Sequence, residues 1–125
     1  MRQRIAHHRQ ERGPDFLTIE EPLDLTRVVL AQQEALDVLV IDCLTLWLSN
    51  TMLSGQEPCS DQLIETAAKS PMRCILVTNE VGCGIVPENA LARRFRDLAG
   101  TLNQKAAERA TEVYWMCFGV PLRVK

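Results

Sequence analysis

Val38-Leu39-Val40-Ile41-Asp42 is the stretch on which the reading of this chain turns. Four consecutive apolar residues closed by a carboxylate fit a strand buried on both faces of a parallel sheet, with Asp42 delivered to its carboxyl end. A second run of the same kind, Cys74-Ile75-Leu76-Val77, leads into Thr78-Asn79-Glu80. Around these runs the hydrophobic period changes to three and four. Pro22 and Asp24 open a helix carrying Leu25, Val28, Val29 and Leu30, with Asp24 as its N-cap. Leu44 to Leu53 reads as helix, broken by Ser54-Gly55-Gln56-Glu57-Pro58, and Ser60 or Asp61 caps another helix running to Lys69. The longest helix is expected over about residues 88–112, begun by Pro87-Glu88, with Leu91, Phe95, Leu98, Leu102 and Ala106 on its apolar side.

The ends of the chain complete the pattern. Val113-Tyr114-Trp115-Met116-Cys117-Phe118, a turn at Gly119 and Val120-Pro121-Leu122-Arg123-Val124 form a tight reversal, so the last strand runs antiparallel to its neighbour. Residues 1–12 are polar with a helical look, ended by Gly13-Pro14, and Phe16-Leu17-Thr18-Ile19-Glu20 is a short strand candidate. Strands alternating with helices define an α/β, doubly wound architecture in one domain. Ligands of such sheets bind beyond the carboxyl ends of the strands, where Asp42 and Thr78-Asn79-Glu80 stand.

The composition sets limits. The 125 residues are 46% hydrophobic and 24% charged, as in ordinary globular domains. Lys and Arg number 14 against 16 Asp and Glu, a net charge of -2 that argues against non-specific binding to nucleic acid or an anionic membrane. No apolar run approaches the roughly 20 residues of a membrane span, and the basic opening has no apolar segment behind it, so it is not a secretory signal. Five cysteines, Cys43, Cys59, Cys74, Cys83 and Cys117, show no C-x-x-C pair. They read as reduced, buried thiols of a cytoplasmic protein.

Several residue groups carry chemistry, each beside a plainer reading. Asp42 after four apolar residues has the form of a Walker B carboxylate that holds Mg2+ beside nucleotide phosphates, though many strands end in Asp for helix capping. The partner motif, G-x-x-x-x-G-K-[ST], does not occur in these residues. His7-His8 is either a solvated pair or contains an imidazole nucleophile able to form a phosphoramidate, with Arg4 and Arg9 to neutralise phosphate charge. Thr78-Asn79-Glu80-Val81-Gly82-Cys83-Gly84 is either a ligand-approaching tip or an ordinary strand-to-helix loop. Arg93, Arg94 and Arg96 are either a solvated charged face or a phosphate or carboxylate site.

The block Thr78-Asn79-Glu80-Val81-Gly82-x-Gly84-Ile85-Val86-Pro87-Glu88-Asn89, then Ala92-Arg93-x-Phe95-Arg96-Asp97-x-Ala99-Gly100-x-x-Asn103-Gln104, resembles the signature of the adenosylcobinamide kinase/adenosylcobinamide-phosphate guanylyltransferase family. Arg4-Ile5-x-His7-His8 and Asp42-Cys43-Leu44-Thr45 resemble the same family in the same order, so the similarity covers essentially the whole chain. The resemblance implies a P-loop NTPase with a RecA-like, mostly parallel sheet and a C-terminal antiparallel strand, assembled as a homotrimer. It implies phosphorylation of adenosylcobinamide, then GMP transfer from GTP to adenosylcobinamide phosphate through a guanylyl-histidine, with ATP and GTP as substrates and Mg2+ as cofactor. His7 matches the guanylylated histidine; His8, Arg9, Gln10, Glu11, Glu20 and Asp42 match nucleotide-site positions, with Asp42 also the metal ligand. Many relatives have Glu where this chain has Asp42.

In the family, a segment carrying the first strand, the Walker A loop, its helix and the second strand precedes the histidine pair. The resemblance therefore implies an N-terminally truncated domain over residues 1–125, poorly stable and nearly inactive alone. Micromolar GTP binding by these residues would contradict that expectation. The runner-up reading is a non-catalytic remnant that associates with intact subunits. A generic RecA-like motor is disfavoured, because the Thr78 to Gln104 block is not a motor signature.

Overall fold

The computed structural model describes Gly13 and residues 16–125. The helical look of residues 1–12 falls outside the described residues. Eight elements follow in order: α1 (Leu25–Gln32), β1 (Val38–Asp42), α2 (Leu44–Leu53), α3 (Ser60–Lys69), β2 (Arg73–Val77), α4 (Ala90–Arg109), β3 (Tyr114–Cys117) and β4 (Val120–Arg123). The two apolar runs pair in parallel, Val38 opposite Arg73 through Asp42 opposite Val77. The last two strands pair antiparallel, Tyr114 opposite Arg123 through Cys117 opposite Val120. The described residues thus form a mixed α/β fold with a parallel pair and a separate antiparallel pair.

Local chemistry fixes the element ends. Asp24 caps α1 by accepting the Arg27 N–H at 3.0 Å, as its position before Leu25 suggests. Helix α2 closes in a Schellman turn: Gln56 N–H reaches Thr51 O at 3.2 Å, Gly55 N–H reaches Met52 O at 3.2 Å, and Gly55 takes φ +76°. Asn89 caps α4 through Ala92 N–H at 3.1 Å, so that helix begins at Ala90 and not at Pro87-Glu88. Neither Ser60 nor Asp61 caps α3: Ser60 is its first residue, and Cys59 before it makes no side-chain cap bond. Asp61 instead supplies a negative charge to the first turn and Lys69 a positive one to the last, each favourable to the helix dipole. Phe16 to Glu20 forms no strand.

One core holds these elements together. Val29, Ile41, Leu44, Trp47, Leu48, Leu63, Ile64, Met72, Ala99 and Leu102 cluster, joining the four helices to the inner face of β1. Leu39, Cys74, Leu76, Phe95, Leu98 and Ala106 pack against it, whereas Leu91, expected on the same side of α4, is exposed. The expectation of strands buried on both faces fails for a clear reason. Leu39 and Ile41 face the helices, but Val38 and Val40, on the opposite pleat, remain 46% and 49% exposed. Ile75 and Val77 on β2 repeat the alternation. The cysteines are free thiols, but Cys59, Cys83 and Cys117 are exposed and Cys43 and Cys74 only half-buried; of the five, Cys74 alone packs against the core cluster, from its edge.

Candidate functional site

Residues 16–22 run past the open face of β1, and between them lies a cavity of about 640 Å³. Phe16, Ile19 and Glu21 form one wall, Val38, Val40 and Asp42 another, and Leu46, Trp47 and Asn50 of α2 a third. Its volume suits a ligand cleft, mostly apolar with a few placed polar groups. Trp47 is fixed there by its indole N–H, which donates to Leu23 O at 2.7 Å. Glu21 ties down the wall, its carboxylate accepting from Leu23 N and Asp24 N at 3.0 Å each and facing Arg27. These bonds, the Asp24 N–H foremost, hold the Glu21 carboxyl below the usual glutamate range.

Asp42 ends β1 at the rim of this cavity, exposed, at the carboxyl end where the sequence places it. Glu20 is exposed in the 16–22 stretch; its neighbours Ile19 and Glu21 line the cavity that Asp42 borders. His7, His8, Arg9, Gln10 and Glu11 lie outside the described residues. Among the described residues no three His, Cys, Asp or Glu side chains gather into a metal cage. The donor set nevertheless fits Mg2+, which keeps several waters and takes one or two carboxylates plus substrate phosphates.

Beside the rim, a polar network joins the strand tips. The Asn79 amide donates to Thr45 Oγ1 at 2.7 Å, Cys43 Sγ lies 3.0 Å from the same oxygen, and the Thr78 hydroxyl donates to Asn103 Oδ1 at 2.7 Å. No local sequence pattern announces the Thr45–Asn79 pair, whose members stand 34 positions apart. The arginines of α4 prove to be partly committed to the fold. Arg93 donates to Pro87 O at 3.0 Å and to Glu88 O, Arg96 to Gly82 O at 2.6 Å, and Arg94 pairs with Glu57 at 2.7 Å. Two of them therefore brace the loop between β2 and α4 by its backbone carbonyls.

The carboxylate and the polar strand tips stand beside the cleft at the carboxyl ends of the parallel strands, the place where α/β sheets bind their ligands. The chain belongs to the cobinamide kinase / cobinamide phosphate guanyltransferase family, whose model matches residues 1–124. It is similar to the bifunctional adenosylcobalamin biosynthesis protein CobP of Pseudomonas aeruginosa, with 42% identity over 129 residues covering all of this chain and 75% of that protein. The bifunctional adenosylcobalamin biosynthesis protein CobU of Escherichia coli K12 is 34% identical over 142 residues, covering all of this chain and 78% of the relative. The CobU protein of Salmonella typhimurium has the same identity and coverage. No described helix is long and apolar enough to cross a membrane.

Proposed function

We propose that this chain acts in cobalamin biosynthesis as an adenosylcobinamide kinase and adenosylcobinamide-phosphate guanylyltransferase. The observation that carries the reading is the family match over residues 1–124. Residues 1–125 are read as a single domain of P-loop, RecA-like kind, working as a cytoplasmic homotrimer. The parallel pair with Asp42 at a strand end supports that fold.

In the first reaction the aminopropanol hydroxyl of adenosylcobinamide takes the γ-phosphoryl group of a nucleoside triphosphate, ATP or GTP. In the second, a neutral His7 nitrogen attacks the α-phosphorus of GTP. The bond from that phosphorus to the bridging oxygen breaks, pyrophosphate leaves, and a phosphoramidate joins GMP to His7. A phosphate oxygen of adenosylcobinamide phosphate then attacks the same phosphorus, the N–P bond breaks, and His7 returns to its starting state. Arg4 and Arg9 counter the phosphate charge, and His8, Gln10, Glu11 and Glu20 contact the nucleotide. Asp42 would hold Mg2+, which when bound screens the phosphate charge.

Incubation with α-labelled GTP and Mg2+ at millimolar concentration tests the covalent step. Acid-labile, base-stable label on the wild-type chain, absent from His7→Ala, is the outcome this reading requires, and it would set aside the expectation that these residues are nearly inactive alone. Equal labelling of both proteins would remove His7 from the mechanism, and an unlabelled wild type would overturn the guanylylation reading.

A further inference from the structure

The pairing of β1 with β2 closes at Asp42 opposite Val77. Past that pair the two strand tips are tied by side chains. Asn103, on α4, accepts the Thr78 hydroxyl at 2.7 Å and donates to the Asn79 carbonyl at 3.2 Å. The Asn79 amide in turn donates to Thr45 Oγ1 at 2.7 Å and reaches to 3.9 Å from Cys43 Sγ. Thr45 is only 7% exposed, so this chain of bonds is anchored in the core two residues beyond the first turn residue after the strand. Polar side chains on a strand tip normally serve solvent or ligand. Here they bond one another across three elements, at a cost in side-chain entropy that the strand ladder does not need.

We propose that Asn79 is a positioning residue of the nucleotide site. Held by Asn103 and bonded to Thr45, it fixes the β1 tip and so sets where the Asp42 carboxylate meets a metal–nucleotide. The inference rests on the reading of Asp42 given above. A ligand carboxylate works only if its support holds it within a fraction of an ångström. Cys43 and Thr45, the residues Asn79 touches, are the chain that leads directly out of Asp42 into α2.

The test is Mn2+ binding to the GTP-loaded chain, read by water-proton relaxation at millimolar GTP, with circular dichroism checking the fold. Asn79→Ala and Thr45→Val are each expected to weaken Mn2+ binding about fivefold, the worth of one ordinary hydrogen bond. Their combination should weaken it no further than the worse single change. GTP binding without metal should stay within about twofold, and Asn79→Ala should have no further effect in an Asp42→Asn background. A purely structural role would lower the melting temperature and leave Mn2+ affinity of the folded chain unchanged, which would overturn the proposal. So would equal losses with and without metal, or a full Asn79→Ala effect on top of Asp42→Asn. If Asn79→Ala does not fold, the near-isosteric Thr45→Val carries the same comparison. A wild type that binds no Mn2+–GTP would sink the reading of the site and the inference with it. A wild type that binds, matched by its variants, would sink the inference alone.

Discussion

Glu21 shows how much a single half-buried side chain can organise. Its carboxylate accepts two successive backbone N–H groups before α1 and faces Arg27, so the wall of the cleft depends on its ionisation. Its folded-state value lies below the ordinary one, chiefly through the Asp24 N–H and then the Leu23 N–H. The contribution is therefore complete above the usual glutamate range and is lost as pH falls through the depressed folded value. Glu21→Gln should accordingly lose less stability than wild type over that acid interval, in unfolding curves followed by circular dichroism. Superimposable pH dependences would show that the carboxylate does not steady this wall. Nothing local in the sequence favoured Glu21 over Glu20; only the backbone turn toward Asp24 distinguishes them. The Asp24 cap was legible, because a cap acts within three residues. The Asn79–Thr45 bond was not, because it joins residues brought together by the fold.

At the scale of elements, the same division between local and distant causes holds. Helix α2 and the two parallel strands match their expected spans closely, since apolar runs and breakers such as Ser54-Gly55 act where they stand. The one-sided burial of β1 and β2 was not legible: alternating Leu39 and Ile41 with Val38 and Val40 offers equally apolar faces, and which one meets a helix is a tertiary outcome. The hairpin offers a sharper test. Its two turn residues, Phe118 and Gly119, take φ of 52° and 79°, a left-handed pair that glycine and asparagine accept readily and phenylalanine does not. The Phe118 ring is fully exposed and gains no packing in return. Phe118→Asn is thus expected to stabilise the chain by roughly 1 kcal/mol, read as a higher midpoint in urea. An unchanged or lower midpoint would mean the ring contributes more than its exposure indicates.

For the whole molecule, the distribution of apolar surface matters most. The open face of the parallel pair and both faces of the hairpin present Val38, Val40, Ile75, Val77, Trp115, Met116 and Leu122 to solvent. Exposed apolar side chains in such number favour association. Sedimentation velocity should show a weight-average mass that rises with protein concentration, and the double change Val40→Lys with Ile75→Lys should lower it. A monomer at every concentration would contradict this. Of the candidate site, the sequence placed Asp42 at its strand end and marked Thr78-Asn79-Glu80 as a tip. It could not show that Arg93 and Arg96 spend donors on loop carbonyls, which depends on how the loop folds back on α4.

The two tryptophans sit in opposite surroundings. Trp47 is 6% exposed against the cleft, its indole hydrogen-bonded to Leu23, while Trp115 is 56% exposed on the hairpin. Their light emission should therefore separate: a short-wavelength component shielded from iodide and a long-wavelength component that iodide extinguishes. With the hairpin signal quenched, the remaining fluorescence comes from a wall of the cleft itself, giving an unlabelled optical gauge of anything that enters it.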